Sequence, residues 1–243
     1  MNLLSNKFKI NQTKTRLWIL ILFSCMLSIG ITTENDSAYF EVWELNSLEK
    51  IGGHSVQVFG NPQIVDTEQG KAMKFNGIED MLLVDNNPIG KVTEFTVEVV
   101  FKPAPAYDIS NAPRFIHFQD PADTAGKRVL MELRLNQKNE WWFDGFMLTD
   151  REELTLARKS FSHPVEDWAH AAITYKNNTF RTYINGIEEL NGKIRFNEKL
   201  MNNTGKTSIG ARMDKRNYFC GLIKKLKITH KALDPQQFIH VND

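Results

Sequence analysis

The 243 residues are 42% hydrophobic and 11% aromatic, with a formal net charge of +1. That supplies one globular core and excludes a disordered or low-complexity chain. No polybasic tract or basic helix occurs, so nucleic acid is excluded as a partner.

The amino end reads as a targeting segment. Lys7, Lys9, Lys14 and Arg16 stand without an acid ahead of the uncharged run 17–31, and Ser28 and Gly30 are small residues placed for cleavage. Residues 1–32 are expected to be a signal peptide and residues 33–243 the mature domain, secreted or periplasmic. The apolar run is short for a span, so no membrane span is expected after its removal. Leu22-Phe23-Ser24-Cys25 resembles a bacterial lipobox, and the alternative is an envelope protein with a lipid anchor at Cys25. Without the four leader cations, 26 basic residues face 29 acids, a net charge of −3. Cys220 is then the one cysteine left, so no internal disulfide framework is expected. No CxxC or histidine-rich spacing marks a zinc site.

In chain order, residues 38–45 form an early strand. Residues 54–66 alternate until Gly60 and Pro62 break them, and residues 70–77 and 80–87 follow as short runs. Phe95–Pro103 is the cleanest strand, with Phe95, Val97, Val99 and Phe101 on one side and Thr96, Glu98 and Val100 on the other. Residues 113–150 contain three strands, and 153–159 a further short one. Residues 169–175 and 180–184 pair as a hairpin, and Asn185-Gly186 marks the tight turn into 187–190. Residues 206–213 and 218–229 supply the last two strands. One short helical turn is expected at Pro235 after Asp234. No segment of a dozen residues carries a 3.6 period, so the fold class is all-β, a two-sheet antiparallel sandwich.

Six pieces in order carry a family resemblance: GKAMKFNG (70–77), FTVEVVFKP (95–103), DWAHAAITY (167–175), FRTYINGIEE (180–189), KTSIGAR (206–212) and YFCGLIKKLKITHKAL (218–233). The sequence resembles a laminin-G-like domain of the concanavalin A-like jelly-roll superfamily. The resemblance implies two curved sheets with a concave face that receives glycans. Members range from binding modules to hydrolases and lyases, so fold alone does not fix activity. His170 stands where the family commonly has a histidine after Trp-x.

Two-residue periodicity sorts the 113–150 region. Val129, Met131, Leu133 and Leu135 are apolar and face the core; Leu130, Glu132 and Arg134 face away. Phe115, His117 and Gln119 oppose Arg114, Ile116 and Phe118. Trp142 and Asp144 oppose Trp141 and Phe143, unless Gly145 introduces a bulge. The expected ligand face holds His117, Glu132, Arg134, Trp142 and Asp144, joined by His170 and Tyr183. An arginine suits a uronate carboxylate, and a tryptophan suits a pyranose face.

The expected partner is therefore an acidic, uronate-containing oligo- or polysaccharide. The favoured chemistry is β-elimination by a lyase or dehydratase, with His117, Glu132, Arg134 and His170 catalytic. Arg114, Trp142, Asp144 and Tyr183 are then assigned to substrate binding. Met-Glu-Leu-Arg (131–134) and Phe-Ile-His (115–117) resemble fragments of alginate-lyase motifs, with Leu130 where that family has arginine and with the fragments in reversed order. The first alternative is a non-catalytic glycan-binding module. The second is a glycoside hydrolase that uses separated carboxylates such as Glu132 and Asp144. No metal or other cofactor is required, although Asp66, Asp120 and Asp123 are loop acids suited to calcium.

Overall fold

The computed structural model describes residues 38–105, 112–196, 200–202 and 204–243. The expected signal peptide (1–32) and the expected anchor at Cys25 lie outside these residues. The first strands are β1 (Phe40–Glu44), β2 (Lys50–Ile51), β3 (His54–Phe59), β4 (Gln63–Thr67), β5 (Gly70–Asn76) and β6 (Met81–Val84). The middle of the chain gives β7 (Phe95–Pro103), β8 (Arg114–Gln119), β9 (Arg128–Leu135), β10 (Glu140–Leu148), β11 (Glu153–Ala157) and β12 (His163–Pro164). β13 (Ala169–Lys176), β14 (Thr179–Ile184), β15 (Ile187–Lys193), β16 (Lys206–Ile209) and β17 (Cys220–Thr229) complete the set, and a 3-10 turn follows at Pro235–Gln237.

These strands form the expected two-sheet antiparallel jelly-roll sandwich. The first sheet runs β15-β14-β13-β7-β17-β5-β4, and β1 pairs with the distal half of β17. The second runs β11-β10-β9-β8-β16-β6-β3-β2, and β12 pairs with the start of β10. The 54–66 run divides where its turn residues fall: β3 enters the second sheet and β4 the first. Gly60, at φ +70°, makes the crossing.

Hairpin turns follow the local chemistry. Asn177 and Asn178 (φ +49° and +59°) join β13 to β14, and Asn185 and Gly186 (φ +49° and +78°) join β14 to β15. These paired positive φ values give the strand twist that a two-residue hairpin needs. Asp234 N–H donates to Gln237 Oε1 at 3.1 Å and fixes the 3-10 turn.

Between the sheets lies an aromatic centre. Phe101 of the first sheet stacks on Phe115 of the second at 4.7 Å and meets the Trp141 edge at 5.3 Å, and Phe219 packs against both phenylalanines. Such rings each remove about 150–250 Å² from water, so this contact holds the two layers in register. Gly145 makes no bulge in the β9–β10 ladder. It permits close approach instead: a Cβ there would lie 2.4 Å from Thr182 Cγ2 of the facing sheet.

Trp168 is only partly buried and donates its indole N–H to Glu68 at 2.7 Å. The strand expected over 206–213 ends at Ile209. Gly210 adopts φ +86°, and a Cβ there would meet Phe75 at 2.3 Å, so the chain leaves the sheet and loops across its outer face. Among the described residues no helix is long and apolar enough to cross a membrane.

Candidate functional site

The outer face of the second sheet gathers five of the residues singled out from sequence. Its ladder sets Asp144 opposite Glu132, Trp142 opposite Arg134 and His117 opposite Leu130. Arg114 joins them through a register shift between Arg114 and Ile116 in the β8–β9 pairing. Strict alternation placed Arg114 with the core residues Ile116 and Phe118. The shift instead turns Arg114 outward and leaves Phe115, Ile116 and Phe118 all in the core.

These side chains pair with one another, although Asp144 Oδ1 and His117 Nε2 are buried without a hydrogen-bond partner. Arg114 Nε lies 3.1 Å from Glu132 Oε1, and Arg134 donates from Nε to Asp144 Oδ2 at 2.7 Å. Both carboxylates are buried, Glu132 to 2% exposure and Asp144 to 1%. Burial pushes the Glu132 carboxyl up to about 7, against the pull of Arg114. Burial also raises Asp144, against Arg134.

The loop after Gly210 closes over His117. Gly210 N–H donates to Phe115 O, Met213 N–H to His117 Nδ1 and Arg114 N–H to Asn217 O, at 3.1, 2.9 and 2.9 Å. Within the loop, Asp214 pairs with both Arg212 and Arg216 at 3.3 and 2.8 Å. His117 is fully buried. Desolvation, then the Arg212, Arg128 and Arg114 charges, hold its imidazole well below the ordinary value. A neutral ring that accepts at Nδ1 carries its proton on Nε2. No path brings a substrate proton to it, so its assignment as a base is corrected to a structural role.

His170 and Tyr183 do not join this face. They lie on β13 and β14 of the other sheet, beneath the C-terminal segment. His170 Nε2 is 3.2 Å from Glu98 Oε1, which also accepts the Ile239 N–H at 2.6 Å. Phe238 covers both residues, its ring 5.6 Å from His170 and 5.1 Å from Tyr183. The catalytic assignment of His170 and the substrate-binding assignment of Tyr183 are therefore withdrawn. Glu132, Asp144 and Arg114 are likewise occupied by internal pairing and act as support for the face.

What stays accessible is its outer end. Trp142 is partly exposed, with Lys159 Nζ 5.9 Å from its ring centroid, and Arg134 on the paired strand is 42% exposed at its side chain. A depression of about 390 Å³ opens beside Trp142, bounded by Asn136, Gln137, Lys138, Glu140 and Lys159. The tight β9–β10 hairpin shapes it: Asn136 Oδ1 accepts the Lys138 and Glu140 N–H groups, and Asn139 takes φ +58°. Sequence reasoning missed Asn136 and Lys159. The Asn-rich turn 136–139 was the available signal for the first, while Lys159 comes from a segment whose return over β10 no local pattern announced.

The loop acids proposed for calcium each have partners of their own. Asp66 pairs with Lys71 at 2.9 Å and Asp123 with Lys127 at 3.2 Å. Asp120 accepts from Ala122 N–H and Thr204 Oγ1 at 2.9 and 2.8 Å. Among the described residues no group of three or more His, Cys, Asp or Glu side chains converges as a metal site.

Comparison with known proteins agrees with this architecture. The family model described as the concanavalin A-like lectin/glucanases superfamily matches residues 76–238. No curated protein sequence matches the chain. Domain 4 of AbnA, a GH43 extracellular arabinanase from Geobacillus stearothermophilus solved with arabinotriose, is similar at TM-score 0.62 and 18% identity, over 85% of this chain and 98% of that one. The ligand binding domain of botulinum neurotoxin serotype D with N-acetylneuraminic acid is similar at 0.57 and 17%, over 82% of this chain and 49% of that one. The binding domain of Paraclostridial Mosquitocidal Protein 1 is similar at 0.53 and 18%, over 85% and 51%. The chain thus spans about half the length of these toxin binding domains.

These findings overturn the expected lyase or dehydratase activity, and the hydrolase alternative with it. The toxin structures of like fold are receptor- or ligand-binding domains. In this chain the proposed base and carboxylates are sealed beneath the face, and the fourth catalytic candidate lies on the opposite sheet.

Proposed function

We propose that this chain, which belongs to the concanavalin A-like lectin/glucanases superfamily, is a glycan-binding module that holds an acidic sugar chain without transforming it. The observation that carries this reading is the partly exposed Trp142 at a depression, with Lys159 Nζ 5.9 Å from its ring and the exposed Arg134 as its partner on the next strand. An indole face offers apolar contact to a pyranose ring, and flanking cations attract a carboxylate or sulfate. Beneath it, the Arg134–Asp144 and Arg114–Glu132 pairs fix the strands so that little ordering remains to be done on binding.

The sugars in two neighbouring structures, arabinotriose and N-acetylneuraminic acid, support a carbohydrate partner, the second of them an acidic one. The basic and apolar run over 1–32 supports export, so the glycan would be met outside the cytoplasm, in the medium or envelope. A titration of the purified protein with tetragalacturonate and with maltotetraose at two salt concentrations tests the proposal. Saturable binding of the acidic chain, weakened by salt and without formation of unsaturated product, is expected. Failure of the acidic chain to bind, or equal binding of both chains, would refute acidic recognition.

A further inference from the structure

We infer that the domain carries a second sugar site, for a neutral residue with adjacent hydroxyls, at the rim where β1 meets the 85–92 loop. A depression of about 520 Å³ opens there, lined by Tyr39, Glu41, Asn86, Lys91 and His230 among others. It is larger than the depression beside Trp142, and no residue of it was singled out from sequence.

Its floor is a prepared acceptor. Glu41 Oε1 accepts from the Tyr39 hydroxyl at 3.0 Å, and Oε2 accepts from the Trp43 indole at 2.8 Å. His54 Nε2 stands 3.2 Å from the same Oε2, and the Asn86 amide nitrogen lies 2.9 Å from His54. The carboxylate is therefore oriented before a ligand arrives, with its side chain 17% exposed. The wall is aromatic. Tyr39 is 59% exposed, although its ring packs on His230 at 4.8 Å. His230 is held in turn by the Pro88 carbonyl at 2.8 Å.

A large ring exposed to water beside a fixed carboxylate and a side-chain amide matches what a sugar offers. The C–H face of the ring lies on the tyrosine, and neighbouring hydroxyls donate to the carboxylate and accept from the amide. Lys91 and Glu41 balance in charge, so no acidic group is demanded, unlike at the Trp142 platform. The Trp142 platform lies on the second sheet at the β9–β10 hairpin, whereas this rim joins β1 of the first sheet to the loop after β6, and the two depressions share no lining residue. One domain could then hold two points of a branched or extended glycan and gain avidity from both.

The indole N–H of Trp43 reports on this site because it donates to Glu41. The experiment follows that resonance by NMR, assigned with Trp43→Phe, during titration with maltotriose, cellotriose and xylotriose up to about 10 mM, a range that reveals millimolar affinity. At least one trisaccharide should shift it saturably. The affinity should fall at least ten-fold in Tyr39→Ala, whose side chain is mostly solvent-exposed, and stay unchanged in Trp142→Ala. No saturable shift with any of the three, or an undiminished shift in Tyr39→Ala, would overturn the second site. Its failure leaves the acidic platform untouched, because that platform is read from Trp142 with a charged ligand.

Discussion

Arg114 Nε stands 3.1 Å from Glu132 Oε1 on the outer face of the second sheet, a pairing that simple strand alternation forbids. One register shift in β8 brings it about. The shift settles the character of this part of the face, because it supplies the buried Glu132 with a counter-ion.

Replacing Arg114 by Met should therefore cost more than a surface charge would. Glu132 would remain buried without its partner, a loss of about 3–5 kcal/mol. Urea unfolding of the variant measures it. A change below about 0.5 kcal/mol, the level of an exposed site, would mean that the pair contributes nothing to stability.

The same glutamate gives a signed pH effect. Its folded-state pKa of about 7 stands above the ordinary 4.5, so between these values the folded protein holds a proton that the unfolded chain has lost. The stability from Glu132 is complete below about 4.5 and is lost as pH rises to about 7. Asp144, also raised, has the same sign. His117, depressed below 6.5, acts in reverse, and its contribution falls as pH falls. The stability difference between the wild type and Glu132→Gln isolates the first effect, and it should shift against the wild type between pH 5 and pH 8. A difference that does not vary with pH would contradict the raised pKa.

Much of the fold was legible because strand alternation and turn chemistry are local. The faces of β9 and β10, the Asn-Gly hairpin and the turn at Pro235 followed from residue type and spacing. The candidate site was legible only in part. Trp142 and Arg134 fell on an accessible face as alternation required. His117 and Glu132 also lie on that outer face, yet nothing in their spacing indicated that the loop after Gly210 would cross it. His170 and Tyr183 were grouped with them by chemical type, but strand order assigns β13 and β14 to the other sheet. Which sheet a strand joins depends on distant partners, and periodicity carries no record of that.

The C-terminal segment is a further test of packing. Phe238 seals His170 and Tyr183, and the adjoining Ile239 N–H donates to buried Glu98. Phe238→Ala should lower stability by about 3 kcal/mol while glycan binding at the Trp142 platform stays intact. Thermal unfolding followed by titration of the folded variant separates the two. Loss of binding in a variant that remains folded would return the His170 surface to consideration as a binding face.

The central claim is that Trp142 is the contact platform for an acidic glycan. Calorimetric titration of Trp142→Ala with tetragalacturonate, beside the wild type, tests it most directly. The account predicts unchanged thermal stability and an affinity weakened about thirty-fold, or ~2 kcal/mol, as for a central aromatic anchor. Wild-type affinity in the folded variant would contradict it.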